Sequence, residues 1–371
     1  MRRINLRIAQ LRKERNLTQQ EVADAVGVSF QTISKWEKET SQPDITMLPI
    51  LADFFRVSVD QLLGLVPLEG EEYIPQSTGT GEFWSGKLEY LLRTRKSYWN
   101  VDYMEFLIKQ VWKIEQPVNV LDCGCGYGFL GLLMMPLLPE GSTYTGVDLA
   151  ENLLEQGKEL FAREGIKGKF LCKDVYEYQA GGKYDIVICQ AVLRHLDEPE
   201  RFVKKMMELG RDGAYIICMD ANREFECDGL YVEGMDYAEL CRHDGLVTNW
   251  KAELAMQGRD YAVAIRTAHI MRKLGLRDVG VRMNDKVEFV TPQLQDYEQT
   301  KADFLNYNDW ESGKSKEEME RTIAYMMSHG VSRKDAEEYC TRNVKIAEFF
   351  KENPEAGYTF VKGQMISYGR K

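Results

Sequence analysis

The 371-residue sequence predicts an α/β protein: a doubly wound, mostly parallel sheet preceded by a small all-α domain. Three observations predict it. Between residues 118 and 219, short apolar β-like runs alternate with helical stretches, the pattern of a parallel sheet covered on both faces. Residues 1–66 instead carry helical periodicity, with recognisable cap signals before several of the helices. The charge divides at the same place: residues 1–66 hold nine Lys/Arg against eight Asp/Glu, and the remaining 305 hold 39 against 50.

Composition narrows the function classes. Hydrophobic residues at 44% and aromatics at 11% suffice for a large buried core, and exclude a disordered chain. A net charge of −10 is too acidic for a protein coated along its length by nucleic acid. No apolar segment follows Arg2 and Arg3, and the longest apolar stretch, Phe129 to Leu138, is broken by Pro136, so neither a signal peptide nor a membrane span is expected. Eight cysteines form no C-x-x-C pair, and His195, His243, His269 and His329 have no ligand-like spacing. A reducing, cytoplasmic location without a structural metal is the expectation.

In the first domain, Ile4, Ile8 and Leu11 fall at helical spacing. Thr18 and Glu21 form a capping box for a second helix, which bears Val22, Ala23 and Val26 and stops at Gly27. Ser29 caps a third helix through Trp36, Pro43-Asp44 opens a fourth, and Val59, Leu62 and Leu63 mark a fifth. Two helices joined by a short turn at Gly27 make a helix-turn-helix, whose second helix offers short polar groups at its N-terminal end.

From Leu17 to Ala23 and from Val28 to Glu37, within residues 4–64, the chain resembles the Cro/CI-type (XRE) regulators. The resemblance implies that Gln19 and Ser34 hold DNA phosphates while Phe30, Gln31, Thr32 and Lys35 face the major groove. It also implies that Arg12 pairs with Glu37 to clamp the first helix onto the third. Phe30 stands where many relatives carry a polar or basic residue, so a sequence preference does not transfer. The alternative is a module used only for dimerisation or protein docking. Paired half-sites would call for a homodimer, which the sequence does not show.

Residues 67–86, rich in Gly, Glu, Pro, Ser and Thr, read as a linker. An aromatic-rich helical stretch follows, including Tyr98, Trp99, Tyr103, Phe106 and Trp112. Two readings stand for Tyr98 and Trp99: packing against the next domain, or contact with a substrate.

The second domain opens with the β-like run 118–122, then Cys123-Gly124-Cys125-Gly126-Tyr127-Gly128 and a helix from Phe129. Strands are expected at 144–148, 169–171, 184–189 and 214–219, with ligands at their carboxyl ends. Gly124 and Gly126 allow the backbone close to a ligand. Asp148, ending the second strand, suits paired ribose hydroxyls, which both NAD and S-adenosylmethionine possess. Asp122 separates the two: a carboxylate there repels a pyrophosphate but accepts from the ammonium of a methionine moiety.

Val120 to Gly126, Gly146 to Leu149, Lys173 to Val175 and Tyr184 to Val187 resemble the class I S-adenosylmethionine-dependent methyltransferases over about residues 117–221. That resemblance implies a seven-stranded, Rossmann-like sheet with S-adenosyl-L-methionine as cofactor. It puts Asp122, Gly124 and Gln190 near the methionine end, Asp148 on the ribose, Leu149 against the adenine, and Asp174 at the adenine amino group with Val175 beside it. After the fourth strand the chain reads Cys189-Gln190-Ala191-Val192-Leu193-Arg194-His195, with neither tetrapeptide of DNA-base methyltransferases. This form is similar to the ubiquinone/menaquinone-biosynthesis branch, so a small-molecule methyl acceptor is expected. His195 is either a general base or a residue that pins its loop.

The last two strands are expected at 279–283 and 365–369, after a helix at 261–274, and residues 292–353 as a helical insertion. The methyltransferase-like domain then covers 87–371. Two functional readings follow. One is a small-molecule methyltransferase fused to a sequence-specific DNA-binding module; the alternative is a transcription regulator that senses S-adenosylmethionine or a metabolite without turnover.

Overall fold

The computed structural model describes residues 6–15, 17–38, 40–63, 91–92, 98–180, 183–241, 245–307 and 316–371. They fall in two compact units, Met1–Ile74 and Pro75–Lys371. The linker reading at 67–86, and Arg2 and Arg3, lie outside the described residues.

In the first unit, five helices, α1 (Ile8–Glu14), α2 (Gln19–Val26), α3 (Phe30–Glu37), α4 (Met47–Phe54) and α5 (Val59–Leu62), close around Ile8, Leu11, Val22, Ile33, Trp36, Leu51, Phe55 and Leu62. The capping box forms as its sequence dictates: Glu21 N–H donates to Thr18 Oγ1 at 3.2 Å, and Thr18 N–H to the Glu21 carboxylate at 2.7 Å. Gly27 ends α2 in the left-handed region at φ 75°. The fourth helix starts later than expected, at Met47, because Asp44 instead folds a turn, accepting from Thr46 N–H at 2.9 Å.

In the second unit, a helix α6 (Val101–Phe106), continuing as a π-helical turn through Val111, precedes the sheet. The strands are β1 (Asn119–Cys123), β2 (Thr143–Asp148), β3 (Gly168–Cys172), β4 (Tyr184–Gln190), β5 (Gly210–Ala221), β7 (Arg277–Met283) and β10 (Gln364–Arg370). Their order is β3-β2-β1-β4-β5-β10-β7. The first five pair in parallel, and β10 runs antiparallel to both neighbours. Alternate residues feed two cores, as a pleated strand buried on both faces requires. Ile186, Ile188 and Ile217 face Trp112, Leu130 and Phe161, while Val187, Cys189 and Ile216 face Phe202, Val203 and Val263. Helices α7 (Phe129–Met134), α8 (Glu151–Arg163) and α9 (Pro199–Leu209) supply the crossovers.

The region beyond β5 differs from the sequence expectation. Helices α10 (Arg223–Asp228), α11 (Tyr237–Leu240), α12 (Leu246–Gln257) and α13 (Val263–Lys273) follow β5. The insertion at 292–353 is helical, with α14 (Tyr297–Tyr307), α15 (Lys316–Ser328) and α16 (Arg333–Glu352). It does not stand alone, because a second, three-stranded antiparallel sheet, β6 (Leu230–Val232), β9 (Tyr358–Val361) and β8 (Val287–Val290), carries it. Phe304, Phe350, Tyr358 and Phe360 form the core between that sheet and the helices. Among the described residues, no helix is long and apolar enough to cross a membrane.

Candidate functional site

A cavity of about 310 Å³ opens at the carboxyl ends of β1, β2 and β4. Asp122, Gly124, Gly126, Asp148, Leu149, Asp174, Val175, Gln190 and His195 all line it. Asp122, Asp148 and Gln190 lie in strands, and the other six come from the segments just beyond strand ends.

Asp148 is fixed from both sides. Its Oδ2 accepts from Gly126 N–H at 2.7 Å and its Oδ1 from Ala150 N–H at 2.9 Å. Each oxygen keeps a further lone pair for a pair of vicinal hydroxyls. The glycine turn lies directly above: Gly124 at φ 74° donates its N–H to Val147 O at 2.8 Å, and Gly126 sits at φ 54°. A Cβ at Gly124 would come within 2.7 Å of Val192 Cγ2, so only glycine fits under the loop after β4. That loop carries its own strain signature, because Ala191 is held at φ 56° while its N–H donates to Met219 O at 2.7 Å.

Asp174 folds a turn by accepting from Tyr176 N–H at 2.8 Å, with Val175 buried beside it. Leu149, 46% exposed, stands at the mouth. Gln190 is buried and its Nε2 donates to Gln364 Oε1 at 3.3 Å. Asp122 is 2% exposed, and its Oδ2 accepts from Tyr144 O–H at 2.8 Å. Burial first, then the Asp122 charge, pushes the Tyr144 phenol well above its ordinary range, so it stays a donor. Nothing in the sequence motifs marks Tyr144 beyond its place at the start of the expected strand 144–148, and its contact with Asp122 is a product of β1–β2 pairing. Leu91, Tyr127 and Phe202 also line the cavity without any motif to flag them.

Tyr98 and Trp99 lie away from this cavity. Both are buried in the core with Met104, Leu107 and Trp112, and neither lines the cavity. Tyr98 O accepts from Asn284 Nδ2 at 2.5 Å, and its ring faces Lys362. The packing reading of these two aromatics holds. His195 closes a 3₁₀ turn, Leu193–His195, with Arg194 Nε donating to its Nε2 at 3.2 Å. Cys123 and Cys125 are buried, and desolvation with the nearby Asp122 charge pushes both thiols well up, so neither is a thiolate.

The donor set fits S-adenosylmethionine better than a dinucleotide. A carboxylate, Asp122, shares the cavity with the glycine turn, where a pyrophosphate would meet it, whereas a carboxylate tolerates an ammonium.

In the first unit, Arg12 clamps α1 onto α3. Its Nε donates to Glu37 Oε1 at 2.5 Å, one terminal nitrogen to Oε2 at 2.9 Å, and the other to Leu17 O at 2.9 Å. Burial works to raise the Glu37 carboxyl, but hydrogen bonds from Arg12 and Gln19 outweigh it and hold it below its usual range. One of the Gln19 amide N–H groups donates to Glu37 Oε2 at 2.6 Å. On α3, Phe30 is 43% exposed and Gln31 and Lys35 are exposed, while Ser34 is half-buried. Thr32 Oγ1 lies 2.8 Å from Ser29 Oγ at the cap.

Comparison with known proteins finds a family match within each unit. Residues 8–62 match the helix-turn-helix family, and residues 120–213 match the methyltransferase domain family. The chain therefore joins a helix-turn-helix DNA-binding domain to a methyltransferase domain. The relatives of the second part include the ubiquinone biosynthesis O-methyltransferase of Coxiella burnetii, 29% identical over 130 residues, covering 33% of this chain and 54% of that one. The enzyme of the same name from Escherichia coli is 32% identical over 121 residues, 32% of this chain and 49% of the relative. The chain spans about half the length of these curated relatives. Among solved structures, Haemonchus contortus phosphoethanolamine N-methyltransferase 2, bound to phosphomonomethylethanolamine and S-adenosylhomocysteine, aligns at TM-score 0.43 and 12% identity, over 79% of this chain and 60% of that one. A SAM-dependent methyltransferase from Aquifex aeolicus aligns at TM-score 0.39 and 17% identity, over 54% and 90%.

Proposed function

We propose that the chain is an S-adenosylmethionine-dependent methyltransferase acting on a small molecule and carrying its own sequence-specific DNA-binding domain. In this reading residues 1–66 bind DNA, 67–86 link, and 87–371 bind cofactor and acceptor. The observation that carries it is Asp148, oriented by the Gly126 and Ala150 N–H groups at the floor of the cavity.

S-adenosylmethionine bound there would supply a methyl group on a sulfonium, transferred to an acceptor nucleophile as the C–S bond breaks and S-adenosylhomocysteine leaves as a neutral thioether. The residues of this chain bind and orient. Asp148 accepts from both ribose hydroxyls, Asp174 and Val175 take the adenine edge, and Leu149 covers its face. Asp122, kept in place by Tyr144, and Gln190 hold the methionine end, where Gly124 and Gly126 leave room. Apolar walls from Leu130, Leu153 and Phe202 exclude water. His195 receives a hydrogen bond from Arg194 at Nε2, which supports a role in holding its loop. Transfer then depends chiefly on proximity and alignment. Phe30, Gln31, Thr32 and Lys35 face bases, with Ser34 and the remaining Gln19 N–H toward phosphate.

Incubation with methyl-tritiated S-adenosylmethionine and the small-molecule fraction of a bacterial extract tests this. Label is expected in a small molecule, and label in added DNA would contradict the reading. Label nowhere, with DNA affinity that shifts on adding S-adenosylhomocysteine, would instead identify a regulator that senses its ligand.

A further inference from the structure

Helix α12 carries a carboxylate, Glu253, that is 2% exposed and lies outside the cavity described above. Its Oε1 accepts from Tyr325 O–H, while its Oε2 is buried with no hydrogen-bond partner among the described residues. Six residues on, Arg259 Nε is likewise buried without a hydrogen-bond partner among the described residues. Both charges act on one phenol: burial and then the Glu253 charge push the Tyr261 phenol up to about 12, and the Arg259 guanidinium lies 5.4 Å from the Tyr261 ring centroid. An open carboxylate oxygen and an open guanidinium N–H, set around the same ring, are costly to bury unless a bound molecule satisfies both.

The cluster neighbours the segments that follow β4 and β5. A Cβ at Gly258, which ends α12, would come within 2.5 Å of Asp197 Cβ, two residues after His195. Tyr261 O accepts from Arg223 N–H at 3.2 Å, just past the end of β5. Glu253 and Arg259 therefore belong over the carboxyl ends of β4 and β5, whereas Asp148 and Asp174 follow β2 and β3. Trp250 packs against Tyr261 with centroids 5.9 Å apart, and Tyr325, 42% exposed, stands between Glu253 and solvent.

We propose that Glu253 and Arg259 bind the non-reacting part of the methyl acceptor, and that this acceptor is a small dipolar molecule of amino-acid type. Its cationic N–H group donates to Glu253 Oε2, its anionic oxygen accepts from Arg259 Nε, and the aromatic walls take its side chain. The inference rests on the methyltransferase reading above for what the bound molecule is, while the binding site itself is tested separately.

Three probes of one shape separate the charges: L-tyrosine carries both, tyramine only the ammonium, and 4-hydroxyphenylacetate only the carboxylate. Titration calorimetry of the full chain saturated with S-adenosylhomocysteine should show L-tyrosine binding, with each single-charge probe weaker by about tenfold or more. Glu253→Gln, which keeps the shape, and Arg259→Gln should each weaken L-tyrosine by about tenfold and leave S-adenosylhomocysteine affinity unchanged. Equal L-tyrosine affinity in wild type and Glu253→Gln overturns the assignment, as does binding of none of the three probes. If a glutamine variant loses S-adenosylhomocysteine binding through misfolding, Arg259→Lys replaces it, and unchanged L-tyrosine affinity there is equally fatal. Failure of the wild type to bind S-adenosylhomocysteine overturns the methyltransferase reading instead, and the same probes without it still decide the Glu253–Arg259 site.

Discussion

Arg12→Met removes a guanidinium that makes three hydrogen bonds, two of them to Glu37, while keeping most of its apolar stem. The side chains are only 15% and 6% exposed, so this pair lies nearer the buried than the surface limit. Removing one partner of a buried pair costs about 3–5 kcal/mol, against about 0–1 kcal/mol for an exposed one. Gln19 still donates to Glu37, which puts the expected loss near the lower end, about 3 kcal/mol. Hydrogen exchange of peptides from residues 6–38, read by mass spectrometry, reports this opening free energy locally. Arg12→Met/Glu37→Met should recover much of the loss, because no charge is then stranded. A loss below about 1 kcal/mol in the single variant, or no recovery in the double, refutes the clamp. The pH dependence has a defined sign. The Glu37 carboxyl lies below its unfolded value of about 4.3, so its contribution is complete above that pH and fades as pH falls through the folded value. Glu37→Gln should flatten that acid limb.

Three further outcomes follow from the site and the recognition helix. Gly124→Ala puts a methyl 2.7 Å from Val192 Cγ2 at φ 74°, and should weaken S-adenosylhomocysteine about tenfold or more by calorimetry, with partial rescue by Val192→Ala. Asp174→Ala should erase any preference for S-adenosylhomocysteine over its inosine analogue, a preference of about tenfold in the wild type; an undiminished preference in the variant removes Asp174 from adenine recognition. Lys35→Ala should reduce the salt slope of DNA binding by about one, measured by fluorescence anisotropy across salt concentrations. An unchanged slope places Lys35 away from phosphate and bases.

Local signals carried most of the fold. Thr18, Glu21, Gly27 and Ser29 act within four residues of themselves, and the caps they encode form where the sequence puts them. Strands β1 and β4 were legible because they are buried on both faces and read as largely apolar runs. The small second sheet was not. Its strands are three or four residues long, too short for periodicity, and β9 pairs with partners about 70 and 130 residues earlier in the chain. The same limit hid the site's supporting contacts. Asp122, Asp148 and the glycines stand in motifs, but Tyr144 reaches Asp122 only through strand pairing, and Glu253 meets Tyr325 across two helices. Pro43-Asp44 misled by offering two signals at once, since an Asx turn competes with a helix start for the same residues.

The central claim is that Asp148 and the glycine turn hold S-adenosylmethionine. Titration calorimetry of the full chain with S-adenosylmethionine and S-adenosylhomocysteine, repeated on Asp148→Ala, tests it most directly. Two hydroxyl hydrogen bonds to a charged carboxylate contribute about 3 kcal/mol together, so micromolar binding in the wild type should weaken by about a hundredfold in the variant. Equal affinities, or no binding by the wild type, would contradict the account and leave function to the helix-turn-helix domain.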